Sequence, residues 1–518
     1  MKKTLACLMT TTVLLCAAAA GAADQPAGDK PAGDEGKKPA PEAPKPEKSV
    51  TQHSLAIGGK TISYTATAGI LIVHDDKDEA YASIGYVAYT QRDVAAAKRP
   101  LTFAYNGGPG GSSVLLHMGA LGPRRVVTAD AGPTPPPPYR VVDNAYSLLD
   151  KSDLVMIDPV GTGLSHAVGA AKDKDFWTVD TDIESVSRFI EQYVSANGRW
   201  SSPKYLLGES YGSTRSAGIV DYLQTRDSMA FNGVVLVSVA LDLDALIPWP
   251  ANDRPYIYEL PTFAAVAAYH HALPHQPAQL EPFLDEVRKF ALGEYAAALL
   301  EGDALGDAER DAVAAKLHEY TGLSAEFVKQ AQLRVRNSQF TQELFRDRHR
   351  ITGQLDGRFT GSPFDLLSED AEHDPALEYT SLPFGAAFLD YYHGELKFGQ
   401  GKTYRFLNYD ANAAWDFKHK VPGGQPLPFV NTGPDLAHAM LVNPHLRVLV
   451  ANGIYDLTTS FLGTEAQIDH LGLEPSARSR IQIKLYQSGH MMYLHEPSLQ
   501  QFKADVAAFV DATSAARP

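Results

Sequence analysis

Cysteine is scarce in this chain of 518 residues, because its two cysteines, Cys7 and Cys16, both lie within the first 20 positions. The rest of the chain therefore has no disulfide and must be stabilised by its core. Basic residues are also outnumbered: 46 lysines and arginines against 61 aspartates and glutamates give a net charge of −15. Such an acidic balance disfavours nucleic acid and anionic lipid as partners. The sequence has no cofactor motif, so we expect no cofactor.

The N-terminal residues have the pattern of targeting and linker segments. In residues 1–23, Lys2 and Lys3 precede an apolar stretch that ends in small residues, which is typical of a secretory signal peptide;. We therefore expect a periplasmic or secreted protein with no membrane anchor after signal cleavage. Residues 24–50 are rich in Pro, Ala, Lys, Asp and Glu without apolar periodicity, which predicts a disordered leader;.

The sequence Gly-Glu-Ser-Tyr-Gly at 208–212 follows an apolar run and precedes a segment, 213–222, with a helical pattern. A Gly-x-Ser-x-Gly turn between strand and helix is typical of a nucleophile elbow, which exposes the serine hydroxyl at a tight bend. Small residues also crowd many ordinary turns, so the pattern alone makes Ser210 a weak candidate nucleophile.

Two later strand-like runs lead to the groups that could activate this serine. Residues 446–450 are followed by Asp456, and residues 481–485 by His490. The order Ser, Asp, His is that of α/β-hydrolases, in which the histidine takes the serine proton and the aspartate orients the histidine. An aspartate after a strand is often only a helix cap, and a loop histidine is often a surface residue. Their shared position after strands, in this order, favours a catalytic triad.

A glycine-rich stretch, Asn-Gly-Gly-Pro-Gly-Gly-Ser-Ser at 106–113, follows the strand-like residues 101–105. In α/β-hydrolases the oxyanion is bound by backbone N–H groups from an early glycine-rich loop and from the residue after the nucleophile. Gly108 and Tyr211 are the candidate donors. A phosphate-binding loop is the alternative, but the stretch has neither a Gly-Lys-Ser/Thr ending nor dinucleotide spacing.

Together these stretches resemble the serine carboxypeptidase family, including its bacterial members. The resemblance spans about residues 100–500 and also includes segments at 122–123, 144–147, 158–165, 456–463 and 489–497. It implies an α/β-hydrolase fold with a mostly parallel central sheet flanked by helices. It further implies a serine-type peptidase that releases C-terminal residues from peptides through an acyl-enzyme, and the signal-peptide pattern adds the expectation that this peptidase is secreted.

The resemblance also implies the roles of individual residues. Ser210 would be the nucleophile, His490 the base and Asp456 its orienter, and the terminal carboxylate of the substrate would be bound by Asn106, the Gly107 amide and Glu209. A carboxyl group binds a carboxylate only with a proton between them, which implies an acid pH optimum. The family usually has a second glutamate where this chain has Ala120, so we expect a weaker acid optimum here. A second departure is Gly111, where eukaryotic members commonly have cysteine.

A long insertion separates the strand-like residues 234–239 from 446–450. Its helical pattern includes an apolar face formed by Leu280, Phe283, Leu284, Val287 and Phe290;. We predict a hydrolase core in two parts, 51–244 and 431–518, and a mainly helical cap, 245–430, that sets substrate choice. A metal could be suggested by His270, His271 and His275. Adjacent helical histidines point to different faces and no carboxylate completes the set, so we expect no metal.

Two other functions fit the same residues. A triad and an oxyanion hole serve any acyl transfer, so an esterase, amidase or acyltransferase is an alternative to a peptidase, and Ala120 gives it some weight. A catalytically inactive binding protein is a third hypothesis. It is disfavoured because a binding protein has no need of Ser210, Asp456 and His490 together.

Overall fold

The computed structural model describes residues 45–514. The predicted signal peptide, 1–23, and most of the predicted leader, 24–50, lie outside the described residues. The end of the leader is corrected, because Glu47–Ile57 form a strand that pairs along its whole length with the strand that follows it. Pairing with a long neighbour overrides the polar composition that predicted disorder for residues 47–50. Within the described range, no helix is long and apolar enough to cross a membrane.

Most strands of the described residues belong to one ten-stranded sheet. In chain order the strands are β1 Glu47–Ile57, β2 Lys60–His74, β3 Ala80–Gln91, β4 Leu101–Tyr105, β5 Arg124–Val126, β6 Val141–Asp143, β7 Asp153–Ile157, β8 His166–Ala167, β9 Lys204–Glu209, β10 Gly233–Val237, β11 Ile351–Thr352, β12 Thr360–Gly361, β13 His419–Lys420, β14 Pro426–Leu427, β15 Arg447–Gly453 and β16 Ile481–Tyr486.

The main sheet has the order β1-β2-β3-β7-β4-β9-β10-β15-β16, and β8 pairs with β3. The first three strands are antiparallel, and β7, β4, β9, β10, β15 and β16 run parallel. The predicted mostly parallel sheet is therefore confirmed. The carboxyl ends of these parallel strands meet at one edge. That edge collects the glycine-rich loop after β4, Ser210 after β9, Asp456 after β15 and His490 after β16.

Helices cover both faces of the sheet and form most of the insertion. They are α1 Val114–Leu116, α2 Val179–Ala196, α3 Tyr211–Arg226, α4 Arg254–Tyr269, α5 Leu280–Phe290, α6 Ala296–Glu301, α7 Asp307–Thr321, α8 Ala325–Gln330, α9 Asn337–Glu343, α10 Pro375–Gly394, α11 Tyr409–Ala413, α12 Gly433–Val442, α13 Phe461–Asp469, α14 Pro475–Arg478 and α15 Glu496–Ser514. The helices predicted over 213–222 and on the apolar face at 280–290 are confirmed as α3 and α5.

The central strands are buried on both faces, because alternate side chains enter two different cores. In β7, Val155 and Ile157 pack in a core with side chains of α2, α3 and α12. Leu154 and Met156 face the opposite core, to which α10 and α15 contribute. Helices thus cover the central strands on both faces and fix the positions of the strand ends.

The insertion differs from the predicted cap over 245–430. Helices α4 to α9 pack around a second core, to which α13 also contributes, whereas α10 contributes Phe384 and Phe388 to the main core beside the sheet. Residues 395–432 contain α11 and the two-residue strands β13 and β14. The cap core also includes Tyr455 and Leu457, the neighbours of Asp456. The helical cap is thus smaller than predicted, and its core is continuous with one loop of the candidate site.

Candidate active site

Ser210 alone joins β9 to α3. Its backbone has φ 60° and ψ −130°, a region that residues other than glycine rarely adopt. The Ser210 N–H donates to the Val237 carbonyl at 2.8 Å, which ties the turn to β10. A Cβ on Gly208 would lie 2.0 Å from the Gly212 carbonyl oxygen. Strand and helix cross this closely only because Gly208 has no side chain, so the turn has the geometry of a nucleophile elbow.

Asp456 and His490 form a hydrogen-bonded pair at the carboxyl ends of neighbouring strands. Nδ1 of His490 lies 2.8 Å from Oδ2 of Asp456. The buried Asp456 also accepts, at Oδ1, from the amides of Thr458 and Thr459 at 2.9 Å each. The Thr459 hydroxyl donates to Oδ2 at 2.5 Å. These bonds hold the carboxylate in one orientation, so it fixes the proton on Nδ1 and leaves Nε2 for a serine.

The charge of His490 is set by burial and by nearby carboxylates. Burial alone would lower its pKa, but Asp456 and, farther away, Glu209 and Asp374 outweigh burial and raise the pKa of His490. The imidazolium that forms when His490 takes a proton is therefore stabilised. Ser210 and His490 line the same cavity. The structure thus brings the three predicted triad residues to one site.

The glycine-rich loop lies directly against the elbow. A Cβ on Gly107 would lie 2.4 Å from the Tyr211 nitrogen, so this contact requires glycine. The Tyr211 N–H opens α3, where amides have no acceptor within the helix. Among residues 45–514, neither this N–H nor that of Gly108 donates to another backbone group. Both are available beside Ser210, as an oxyanion hole requires.

The cavity in front of Ser210 has a volume of about 260 Å³. Most of its side-chain wall is apolar, from Leu115, Leu355, Leu377, Phe406, Leu407 and Met491. Leu377 belongs to α10 and Leu355 to the hairpin before it, so the insertion contributes to the wall. The acidic and basic side chains in the lining formed by the described residues are Glu209 and His490. The cavity is therefore mainly apolar, with one carboxyl and one imidazole in its wall.

Glu209 ends β9 and is buried, with 2% of its surface exposed. Its Oε1 accepts from Asn106 Nδ2 at 2.8 Å and from the Tyr493 hydroxyl at 3.3 Å. Its Oε2 is buried and has no partner in the described part of the chain. Burial raises the pKa of Glu209 to about 7, although His490 and both donors act in the opposite direction. Below that pH the carboxyl is neutral, and Oε2 can hold a proton for a ligand.

Tyr493, which sequence reasoning missed, contacts Glu209 in place of a second carboxyl. Its ring packs against Gly119, where a Cβ would lie 2.4 Å from the ring. The neighbouring Ala120 is buried and has no polar group to offer. The pKa of Glu209 is therefore raised mainly by burial, with a smaller contribution from the charge of Asp456;. In the sequence, the position of Tyr493 three residues after His490 could have indicated that it lies near the site.

Arg215 is a second residue that the sequence did not reveal. It is buried on α3, and its Nε lies 2.7 Å from Asp182 Oδ2. Its Nη1 donates to the Asn106 carbonyl at 2.9 Å. The guanidinium lies 5.1 Å and 5.3 Å from the ring centroids of Tyr105 and Tyr211. Arg215 therefore supports the first residue of the glycine-rich loop from below the elbow.

The histidines considered as metal ligands lie at the end of α4 and after it. His270 donates from Nε2 to the Gly357 carbonyl at 2.7 Å and packs edge-on against Phe345. Across residues 45–514, no group of three or more His, Cys, Asp or Glu side chains is arranged to hold a metal ion. His270 thus fastens α4 to the hairpin that follows α9.

A comparison with known protein families identifies the segment that contains two parts of this site. Residues 60–242, which include the glycine-rich loop and the elbow, match the model of the serine carboxypeptidase family. Over this segment the chain is similar to that family. The matched segment contains the elbow serine, the position at which α/β-hydrolases have their nucleophile;. No curated protein sequence matches the chain.

Solved structures show the fold. A prohormone-processing carboxypeptidase from Saccharomyces cerevisiae is 14% identical, with a TM-score of 0.54 over 87% of this chain and 92% of that one. A proline iminopeptidase from Mycobacterium smegmatis is 12% identical, with a TM-score of 0.35 over 90% and 99%. A thermostable carboxyl esterase from Bacillus coagulans is 10% identical, with a TM-score of 0.35 over 90% and 99%. The first likeness shows the α/β-hydrolase fold.

Proposed function

We propose that this protein is a serine carboxypeptidase that releases C-terminal residues from peptides through an acyl-enzyme. Ser210 Oγ attacks the scissile carbonyl carbon while His490 takes its proton, and the Gly108 and Tyr211 amides bind the oxyanion. His490 then protonates the leaving amine, which carries the C-terminal residue. A water, deprotonated by His490, hydrolyses the acyl ester and frees Ser210.

The single observation that carries the exopeptidase assignment is the state of Glu209. Its Oε1 is occupied by Asn106 and Tyr493, its Oε2 has no partner in residues 45–514, and it lines the cavity of Ser210. With its pKa at about 7, the protonated carboxyl donates from Oε2 to the terminal carboxylate of a peptide. Above that pH two carboxylates face each other in a buried site and repel.

The experiment compares one peptide with a free C-terminus and the same peptide with an amidated C-terminus across pH. The ratio of their kcat/KM values isolates recognition of the carboxylate, because the titration of His490 is common to both substrates and cancels. We expect the free peptide to be cleaved about tenfold faster or more at pH 5, and the ratio to fall by about tenfold per pH unit above pH 7.

The control is Glu209→Gln, which keeps a donor but has no proton to lose. Its ratio is expected to be independent of pH. If the wild-type enzyme cleaved both peptides equally at every pH, the exopeptidase assignment would be wrong. That result would favour an esterase, amidase or acyltransferase, an alternative supported by the absence of a second carboxyl at Ala120. Failure of a fluorophosphonate to label Ser210 in folded protein would leave the non-catalytic binding protein.

We further propose that the enzyme acts in the periplasm or after secretion. The support is the signal-peptide pattern of residues 1–23;. N-terminal sequencing of the mature protein tests this proposal, and a mature chain that still begins at Met1 would contradict it.

A further inference from the structure

A hairpin loop of the insertion contacts the two segments that carry Asp456 and His490. The loop, residues 353–359, joins β11 to β12 and is closed by a hydrogen bond from the Gly353 N–H to the Phe359 carbonyl at 2.9 Å. We name it the clamp loop. It belongs neither to the sheet nor to the helical core of the cap, and the proposed chemistry does not use its polar groups.

The clamp loop binds the histidine segment at three consecutive residues. The His490 N–H donates to the Leu355 carbonyl at 2.7 Å, and the Gly489 N–H to Asp356 Oδ2 at 3.1 Å. Arg358 Nη2 donates to the Ser488 hydroxyl at 3.1 Å. A Cβ on Gly489 would lie 2.4 Å from the Asp356 Cβ. The two segments therefore approach so closely that residue 489 must be glycine.

The same loop binds both chain neighbours of Asp456. The Gly357 N–H donates to the Tyr455 carbonyl at 2.9 Å, and the Leu457 N–H donates to the Gln354 carbonyl at 3.0 Å. These bonds lie on either side of the catalytic carboxylate. One loop thus fixes the relative position of the two segments whose side chains form the Asp456–His490 pair.

A buried ion pair stiffens the clamp loop. Arg358 Nη2 lies 2.6 Å from Asp356 Oδ2, and the two side chains are 2% and 1% exposed. Arg358 also reaches Asp130, at 3.1 Å from Nη1. A buried ion pair is weak evidence for stability, because desolvation offsets the attraction. Here the remaining hydrogen bonds of the pair go to Ser488 and Gly489, the residues that lead into His490.

We propose that Asp356, paired with Arg358, is a positioning residue for the reaction. It holds residues 488–490 so that His490 keeps Nδ1 on Asp456 and presents Nε2 to Ser210. The insertion therefore shapes the triad as well as the pocket, because Leu355 of the same loop lines the cavity. This inference rests on the catalytic role of His490 in the proposed function.

The test is Asp356→Ala in the full chain, assayed with a simple ester that has no C-terminal carboxylate. We expect kcat to fall by about 100-fold with KM within about threefold, since small displacements of a catalytic group cost about this much. The acid limb of kcat should move to lower pH. The groups that face His490 are Asp456, Glu209 and Asp374, and separation from Asp456 removes the main contribution that raises its pKa.

The matched control is Asp153→Ala. Asp153 is equally buried between Arg99 and Arg199, at 2.6 Å and 2.7 Å, but lies at the start of β7, at the opposite edge of the sheet. The Asp153→Ala substitution should lower thermal stability and leave kcat and its pH profile as in the wild-type enzyme. Asp356→Asn keeps an oxygen for the Gly489 N–H, and we expect it to restore part of kcat.

The outcomes separate this inference from the proposed function. A wild-type kcat and pH profile in folded Asp356→Ala would overturn the positioning role. If the alanine variant does not fold, the same result in Asp356→Asn would overturn it. A wild-type enzyme that hydrolyses neither ester nor peptide would instead overturn the proposed function, because Asp356 is unchanged in it.

Discussion

Glu209 and Glu259 share one physical property but lie in different regions of the molecule. Both are buried, both have an Oε2 without a partner among the described residues, and burial raises both pKa values. We call the edge of the sheet at the carboxyl ends of the parallel strands, which carries the glycine-rich loop, Ser210, Asp456 and His490, the catalytic edge. Glu209 ends a strand at this edge, accepts hydrogen bonds from two donors and lines the cavity with Ser210. Glu259 lies within α4, inside the cap. A raised pKa therefore shows only that a carboxyl is desolvated. To bind a ligand, the carboxyl must in addition be oriented by hydrogen-bond donors and be accessible from a cavity.

The two regions also differ in how they are built. The catalytic edge consists of loops that leave parallel strands, so its backbone is fixed by sheet register and by close glycine contacts. The cap consists of helices α4 to α9 around a core that also includes Tyr455, Leu457 and side chains of α13. The candidate site is thus built on the loops at the strand ends, and the insertion contacts it through the clamp loop.

The largest expected effect comes from removing the nucleophile at the catalytic edge. Ser210→Ala should lower kcat by about 10⁶-fold, because the members of a triad act as a unit. The cap and the pocket are unchanged, so affinity for a product peptide should remain. Steady-state kinetics and calorimetric binding measure the two quantities separately.

The matched control for this prediction is Ser187→Ala, which removes another buried serine hydroxyl, one without a partner in the described residues of the chain. It should retain wild-type kcat. Activity of Ser210→Ala within tenfold of wild type would contradict the nucleophile assignment and place the chemistry outside the elbow.

The catalytic edge could be predicted largely from the sequence because its signals are local. Glycines on both sides of Ser210 are required by contacts within a few residues of the turn, and an apolar run before Asp456 or His490 reports a strand directly. Strand order then follows from the rules for parallel sheets, which bring the ends of such strands together. Local turn chemistry and chain order were therefore sufficient to nominate the triad.

The partners of the triad could not be predicted because they depend on packing between distant segments. Asp356 lies 133 positions from Gly489, and Tyr493 lies 284 positions from Glu209. Neither has a motif, and an aspartate beside glycine is typical of any turn. The extent of the cap was wrong for the same reason, since periodicity identifies a helix such as α10 but not the core against which it packs.

A smaller effect at the catalytic edge is expected from Tyr493→Phe. The phenol donates to Glu209 and lowers its pKa, in opposition to burial. Its loss destabilises the charged carboxylate, so the pKa should rise above about 7. The pH at which cleavage of the free peptide declines relative to the amide should therefore move upward by about half a unit to one unit.

The ratio of kcat/KM for the free and amidated peptides, measured across pH, checks this shift. Tyr205→Phe is the control, because that phenol lies in the same strand as Glu209 but bonds Thr513 and Ser514 at the far end. A downward movement of the decline in Tyr493→Phe would show that Tyr493 does not stabilise the Glu209 carboxylate.

The smallest effect on activity is expected in the cap, from Glu259→Met. Because its pKa is raised in the folded protein, Glu259 binds its proton more tightly there than in the unfolded chain. Stability from this group is therefore full below the unfolded pKa and is lost as pH rises above it. The substitution should stabilise the protein by about 1–3 kcal/mol at pH 7 and less at pH 4, with kcat unchanged. Thermal unfolding at both pH values measures this, and Glu259→Gln separates loss of the proton from loss of the polar group. A large fall in kcat would mean that a buried carboxyl in the cap acts on the chemistry from a distance, and the contrast with Glu209 would then fail.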